Sequence, residues 1–335
     1  MVAGSPSDLH ATATAMVADG KGILAADEST STIAKRFAEI GVESTPETRQ
    51  GYRAALFGAP DLSRYISGVI LYDETIRQRM DDGTPMPEYL AAHGIIPGIK
   101  VDKGLVPFRP GSKEQVTEGL DGLAGRLDEY FELGARFAKW RALLHISPEI
   151  PTRPCVEASA WLLGRYARMC QDHGIAPIVE PEVLMDGDHG LERCADVTRT
   201  VLHAVFAQCR AHEVDLPGIV LKPNMVTPGS RVFDSATPAD VARATVDVLR
   251  ECVPPEVPGI AFLSGGQTEA ESTANLDEIA KLGPHPWAIT FSFGRALQAS
   301  ALRAWAGERR NQDSARQALL ERAGANSRVL LAAAR

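Results

Sequence analysis

The stretch PGIVLKPNMVT, residues 217–227, raises the question on which the fold depends. Gly218 to Leu221 is an apolar run with β-branched residues, which predicts a buried strand. Lys222 follows directly and is itself followed by a proline. An amine at this point must leave the apolar layer or lose its charge within it. Lys222 is therefore a candidate functional residue, provided that the fold gives it a pocket.

Short apolar runs of the same kind recur along the whole chain. Eight of them begin at residues 22, 67, 96, 135, 175, 218, 259 and 287. Helical patterns lie between them, such as residues 156–173, a segment from residue 191, and a helix opened by Thr237 and Pro238. This alternation predicts a parallel sheet with helices outside, and eight units predict an α/β fold of the (β/α)8 TIM barrel type. A doubly wound sheet is the alternative, but the Gly-rich dinucleotide loop typical of one is missing.

Length and composition limit the architecture. A chain of 335 residues with 44% hydrophobic content can form one barrel or two ordinary domains. Without an evident linker, we expect a single domain over residues 1–335. The first 20 residues are predicted to form a short N-terminal arm, and the region after Ala296 is predicted to form a C-terminal helical tail.

Charge and cysteine content argue against several classes of protein. The net charge of -8 comes from interspersed side chains, which gives no support to nucleic-acid binding. No apolar stretch approaches a membrane span, and no secretory signal is recognisable. The five cysteines show no CxxC spacing, which favours reduced thiols in a cytoplasmic protein and offers no zinc signature.

Polar residues occur where the predicted strands end, and in a TIM barrel these ends form the active-site mouth. Lys139 with Arg141, and Glu180 with Glu182, are spaced two apart and therefore share a strand face. A single charge at a strand end is usually solvated or ion-paired, but a whole set of them predicts a site. The set comprises Asp27, Glu28, Ser29, Lys100, Asp102, Lys139, Arg141, Glu180, Glu182, Lys222, Asn224, Ser264, Gly265, Gly266, Ser292, Gly294 and Arg295.

The segments LSGG and SFGR follow the last two predicted strands. Plain turns are one interpretation, but barrels often bind phosphate there with backbone N–H groups and a helix N-terminus. Arg295 could add a bidentate contact. The eight histidines are scattered, and DGDHG at 186–190 lacks the spacing of a calcium loop. We therefore predict no metal and no cofactor.

A neutral lysine can attack a carbonyl and form a Schiff base, whose iminium withdraws electrons without a metal. Lys139 and Arg141 would favour the neutral form of Lys222. Glu180 and Glu182 would oppose this unless one of them stays protonated to act as an acid. Because phosphate sites are predicted beside Lys222, the predicted substrate is a phosphorylated ketose.

Several of these motifs together resemble class I fructose-1,6-bisphosphate aldolase. They are ILAADEST, GIKVDKG, FAKWR, IVEPE, LKPNMVTPG, FLSGGQ and FSFGRALQASAL, in this order from about Lys21 to about Ala325. The resemblance implies a TIM barrel, usually a homotetramer, that cleaves fructose 1,6-bisphosphate to dihydroxyacetone phosphate and glyceraldehyde 3-phosphate in glycolysis.

The resemblance also implies roles for individual residues. Lys222 would form the Schiff base, with Glu180 as general acid/base and Glu182 beside it. Asp27 would lie near the C4 hydroxyl, and Lys139 and Arg141 would be site cations. The substrate- and phosphate-binding residues implied are Ser29, Thr32, Arg36, Arg49, Lys100, Arg141, Ser264, Gly265, Gly266, Ser292, Gly294 and Arg295.

The chain departs from the family at three places. Ser31-Thr32 replaces the usual Gly-Ser, Phe293 stands where tyrosine is common, and no tyrosine follows Tyr166. The tail can therefore supply no tyrosine to the active site, and we expect it to pack as a helix end. Two rival functions stay open at this point: a transaldolase-like lyase on the same barrel, and a non-enzymatic scaffold.

Overall fold

The computed structural model describes residues 6–333; residues 1–5 and 334–335 lie outside the described residues. Its strands are β1 (Gly22–Ala26), β2 (Ile66–Leu71), β3 (Ile96–Lys100), β4 (Leu105–Pro107), β5 (Gln115–Thr117), β6 (Phe137–Leu144), β7 (Ala176–Val183), β8 (Val220–Leu221), β9 (Gly259–Phe262) and β10 (Ala288–Phe293). Its α-helices are α1 (Pro6–Met16), α2 (Thr30–Ala38), α3 (Pro46–Phe57), α4 (Asp73–Ile76), α5 (Met86–Ala92), α6 (Leu123–Glu132), α7 (Arg153–Asp172), α8 (Leu191–Ala211), α9 (Pro238–Cys252), α10 (Glu269–Lys281), α11 (Arg295–Trp305) and α12 (Gln312–Ala333).

Eight parallel strands form a closed barrel in the order β1-β10-β9-β8-β7-β6-β3-β2. Because β1 pairs with both β2 and β10, the sheet has no edge, which excludes the doubly wound alternative. Each of the eight predicted apolar runs contains one barrel strand. The prediction of a (β/α)8 TIM barrel is confirmed. The pair β4 and β5 forms a separate antiparallel hairpin after β3, which the sequence did not indicate.

The N-terminal segment differs from the predicted arm. It contains helix α1, whose residues Leu9, Ala13 and Met16 are buried against inward-facing barrel side chains such as Phe137 and Ile178. The spacing of these apolar residues places them on one helix face. The segment Leu9 to Val17 lies near Gly218 and Gly259, at the starts of β8 and β9. Helix α1 therefore covers the N-terminal end of the barrel, and the opposite end forms the mouth.

The helices begin and end where the sequence signals them. Thr237 caps α9 through a capping box with Asp240, and Pro238 occupies the first turn. Helices α11 and α12 follow the last barrel strand. Leu330 is buried in α12, which continues to Ala333.

Candidate active site

A cavity of about 400 Å³ opens at the carboxyl ends of the barrel strands. Most of the predicted site residues line it: Asp27, Ser29, Thr32, Arg36, Lys100, Lys139, Arg141, Glu180, Glu182, Lys222, Ser264, Gly265, Ser292, Gly294 and Arg295. Three predicted residues, Arg49, Asn224 and Gly266, are not among the lining residues. Arg49 instead makes a bidentate ion pair with Glu74, with Nε donating to Oε2 over 2.8 Å.

Lys222 lies at the centre of this cavity, directly after β8. Its side chain is almost entirely buried, and its Nζ lies 3.1 Å from Glu180 Oε1. The other carboxylate oxygen of Glu180 lies 3.2 Å from Lys139 Nζ and accepts no hydrogen bond from the described residues. Lys139 Nζ also lies 2.7 Å from Asp27 Oδ2. Two ammonium groups and two carboxylates therefore alternate across the floor of the mouth.

The strand register explains this arrangement. β6 and β7 are paired in parallel, with Lys139 opposite Ile178 and Arg141 opposite Glu180. Residues two apart on a strand point to the same face, so both charged pairs project into the mouth. The predicted sharing of a face is confirmed.

The charged groups determine one another's protonation. Burial alone would raise the pKa of Glu180, but Lys139, Lys222 and Arg141 outweigh it and lower that pKa. For Asp27, too, burial is opposed by Lys139 and Lys222, and the pKa falls well below its usual value. Burial would lower the pKa of Lys139, but Asp27 and Glu180 raise it. Glu180 is thus ionised in the unliganded site, so it is not the carboxyl that stays protonated.

Further ion pairs hold the cations around this centre. Arg141 Nε donates to Glu182 Oε2, and Lys100 Nζ lies 2.7 Å from Asp102 Oδ1. Asp102 and Glu28 line the cavity although they were not assigned roles. Their only signal in the sequence is a carboxylate beside Asp27 and another two residues after Lys100.

The segments after β9 and β10 form a different wall. Ser264 and Ser292 are buried, and Ser292 Oγ has no hydrogen-bond partner among the described residues. Gly265 has a φ of 53°, which glycine adopts without strain. Gly294 precedes the first turn of α11, and the N-terminus of a helix favours a bound anion. This wall has the features of a phosphate site.

Arg295 differs from the other cations of the mouth. Its side chain is exposed, and no carboxylate of the described residues lies within ion-pair distance of it. The cavity-lining residues Lys100, Lys139, Arg141, Lys222 and Arg36 are all ion-paired. Arg295 is therefore the cation most available to an incoming anion.

The segment after β1 contributes Ser29, Thr32 and Arg36. Ser29 caps α2 by accepting a hydrogen bond from Thr32 N, and the two hydroxyl oxygens are 3.0 Å apart. Helix α2 thus begins normally without the glycine that the family usually has there. Arg36 pairs with Glu28, a buried carboxylate that also accepts from Arg53.

Cations lie on opposite sides of the mouth. In the barrel order, β6 is the fourth strand from β10, so the two strands are on opposite sides of the ring. Arg295 follows β10, while Lys139 and Arg141 lie on β6. A ligand that spans the mouth would thus have cations near both ends and Lys222, after β8, between them.

The described helices include none that combines the length and the apolar character needed to cross a bilayer. All five cysteines are free and buried.

Comparison with known proteins agrees with this geometry. The family model of class I fructose-bisphosphate aldolase matches residues 8–333. A probable fructose-bisphosphate aldolase class 1 of Xanthomonas campestris is 52% identical over 328 residues, covering 98% of each chain. A fructose-bisphosphate aldolase of Plasmodium falciparum is 52% identical over 322 residues, covering 96% of this chain and 87% of the relative.

A solved structure gives the same result. It is fructose-bisphosphate aldolase from Plasmodium falciparum in complex with TRAP and a small-molecule inhibitor. Its TM-score is 0.95 at 52% identity, covering 97% of this chain and 94% of that one. The chain belongs to the class I fructose-bisphosphate aldolases, glycolytic lyases that cleave fructose 1,6-bisphosphate through a Schiff base and without a metal.

Proposed function

We propose that Lys222 forms the Schiff base with the C2 carbonyl of fructose 1,6-bisphosphate, and that Glu180 moves the protons of this step. The observation that carries the proposal is the position of Lys222 Nζ, buried and 3.1 Å from Glu180 Oε1. Lys100 is paired with Asp102, and Lys139 is held between Asp27 and Glu180. Among the described residues, the only ion-pair partner of Lys222 is Glu180, the carboxylate that also contacts Lys139.

Formation of the Schiff base follows from this contact. Lys222 gives a proton to Glu180, and its free electron pair attacks C2 to form a carbinolamine. The same neighbours that lower the pKa of Glu180 make its protonated form a strong acid. Glu180 returns the proton to the carbinolamine hydroxyl, which leaves as water, and the iminium forms.

Cleavage of the carbon–carbon bond needs a base for the C4 hydroxyl. Asp27 fits this role because the nearby cations keep its carboxylate ionised. As Asp27 takes the C4 hydroxyl proton, the C3–C4 electron pair moves to the iminium and forms an enamine, and glyceraldehyde 3-phosphate leaves. The enamine is then protonated at C3, and hydrolysis releases dihydroxyacetone phosphate. We assign this proton to Glu180, or to a water that it holds, because Glu180 lies against the Lys222 nitrogen that carries the enamine.

Trapping by borohydride tests the assignment of Lys222. Reduction in the presence of dihydroxyacetone phosphate should inactivate the protein and attach the triose phosphate irreversibly to Lys222, because only an iminium is reduced to a stable amine. Peptide mapping by mass spectrometry identifies the modified residue. The Lys222→Met variant is the control and should take up no adduct. An adduct on Lys100 or Lys139 of the wild type would contradict the proposal.

The phosphate wall gives a separate prediction for binding. Arg295→Ala should raise KM for fructose 1,6-bisphosphate by about 10- to 150-fold, because a charge-assisted hydrogen bond contributes about 1.5–3 kcal/mol. The value of kcat should change much less, since the residue contacts the phosphate and not the reacting carbons. Steady-state kinetics check this, with Arg303→Ala, on the exposed side of α11, as the matched control. A fall in kcat with an unchanged KM would contradict a binding role.

The two rival functions are weaker. A transaldolase-like lyase does not need two phosphate sites, and the cations on opposite sides of the mouth suit a bisphosphate. A non-enzymatic scaffold would not need the complete set of paired charges around Lys222. The homotetramer and the cytoplasmic location stay predictions, supported by the family and by the free thiols.

A further inference from the structure

A cluster of three metal-ligating side chains lies outside the active site, between helices α8 and α9. His203 of α8 faces Glu251 and Cys252, the last two residues of α9. One ligand atom from each lies within 4.8 Å of the others, and no other such group of three His, Cys, Asp or Glu occurs in residues 6–333. We propose that His203, Glu251 and Cys252 form a zinc-binding site that joins α8 to α9.

The spacing of the ligand atoms fits tetrahedral coordination. His203 Nε2 lies 3.6 Å from Cys252 Sγ and 3.5 Å from Glu251 Oε1. With zinc–sulfur bonds of about 2.3 Å and zinc–nitrogen or zinc–oxygen bonds of about 2.1 Å, tetrahedral angles place these pairs about 3.6 and 3.4 Å apart. Little movement is therefore needed to admit the ion, and water can occupy the fourth position.

A neighbouring arginine already orients the carboxylate. Arg199 lies one helical turn before His203, and its Nε donates to Glu251 Oε2 over 2.7 Å. The other oxygen, Oε1, is thereby turned towards His203. Such outer hydrogen bonds to ligating carboxylates are usual around bound metals. The charge of Arg199 is also shared with Asp196, which accepts from its Nη1 over 2.7 Å.

The donor set selects the metal. A thiolate, an imidazole and a carboxylate suit zinc, whereas magnesium and calcium prefer oxygen ligands alone. In the metal-free protein, the sulfur of Cys252 is a thiol that acts as a hydrogen-bond donor. Its Sγ lies 3.8 Å from the carbonyl oxygen of Arg199, to which it donates. Zinc binding must release that proton to solvent, forming the zinc–sulfur bond.

The position of the cluster separates it from catalysis. Helices of a (β/α)8 barrel run back from the mouth, so the C-terminal end of α9 lies at the opposite end of the barrel, near the start of β9. None of the three residues lines the active-site cavity. The site would therefore stabilise the folded barrel by binding only to the native state, and the metal-free cleavage reaction would not depend on it.

Metal titration of the chelator-treated full-length protein tests the site. Cobalt(II), as a probe for zinc, should give a thiolate charge-transfer absorption band that reaches its full intensity at one equivalent of cobalt. Added zinc should displace the cobalt and remove the band. Calorimetry in two buffers of different ionisation enthalpy should show proton release on zinc binding. Zinc should raise Tm, while the rate of fructose 1,6-bisphosphate cleavage should stay within about twofold of the chelated protein.

Variants distinguish the site from adventitious binding. Cys252→Ser should abolish the cobalt–thiolate band, and His203→Ala, at an exposed position, should weaken zinc binding at least about tenfold. His93→Ala, at another exposed histidine, should bind as the wild type does. The proposal is overturned if the wild type shows no thiolate band, or if both variants bind zinc unchanged, since the cluster is then only an ion-pair network. The proposal is also overturned if zinc inhibits fructose 1,6-bisphosphate cleavage in the wild type and in Cys252→Ser alike, because the metal then binds at another site.

Discussion

Replacement of Glu180 by glutamine is expected to lower kcat by about 10²–10⁴-fold and to leave KM for fructose 1,6-bisphosphate nearly unchanged. The amide keeps the size of the side chain and can still accept a hydrogen bond from Lys222. It cannot take the lysine proton or return it to the carbinolamine hydroxyl. Both proton transfers of Schiff-base formation therefore lose their carrier, while the phosphate contacts that dominate binding are untouched.

A single-turnover measurement locates the defect. The rate of borohydride-trapped adduct on Lys222 should fall in Glu180→Gln in parallel with kcat, because the lost step precedes the iminium. Glu157→Gln, at an exposed carboxylate of α7, is the matched control and should behave as the wild type. If adduct formation stayed fast while cleavage became slow, Glu180 would serve a later step, and another group would carry the proton to the carbinolamine.

The sequence was sufficient to predict the barrel because its strands are continuous apolar runs and its helices have local caps. Buried parallel strands must be apolar on both faces, so charges such as Lys222 stand out where the strands end. Closure of the barrel places the carboxyl ends of all its strands around one mouth, so the fold alone brings these charges together. The sequence alone therefore predicts that Lys139 and Glu180, which are 41 positions apart in the chain, face the same mouth.

Other features depend on side-chain contacts that no local pattern encodes. Arg49 was assigned to phosphate binding from the family, but it pairs with Glu74, 25 residues further along the chain. Glu28 received no role, although it joins Arg36 to Arg53 beneath the cavity wall. The protonation of Glu180 was also undecided, because burial and three cations act on it in opposite directions. Lys139 and Lys222 lie close enough to Glu180, at 3.2 and 3.1 Å, to outweigh burial.

The replacement of Lys139 by methionine should have the second large effect, on stability as well as on activity. Lys139 is buried between Asp27 and Glu180, and methionine has a similar length without the charge. Removing one partner from a buried ion pair costs about 3–5 kcal/mol of the free energy of unfolding, because the remaining carboxylates lose their counter-ion. Activity should fall with it, since Asp27 can act as a base only while it is ionised.

The effect of pH on this variant follows from the directions of the pKa shifts. In the wild type, Lys139 helps to lower the pKa of Asp27 and Glu180, so both carboxylates stabilise the fold above their ordinary pKa of about 4 and lose this contribution as the pH falls. In Lys139→Met, the loss of the cation raises both pKa values, and protonation relieves the repulsion between the carboxylates. The stability difference between the two proteins should therefore be largest near neutral pH and shrink as the pH falls towards 4.

Urea unfolding at several pH values, together with kcat at each, measures both effects. Lys103→Met, at an exposed lysine after β3, the strand next to β6, is the control and should change the free energy of unfolding by no more than about 0.5 kcal/mol. If Lys139→Met is as stable as the wild type at neutral pH, the Lys139 ammonium group does not hold Asp27 and Glu180 together at distances of 2.7 and 3.2 Å. The two carboxylates would then share a proton or lie further apart. The alternation of charge at the floor of the mouth would then not be what keeps Asp27 ready to accept the C4 hydroxyl proton.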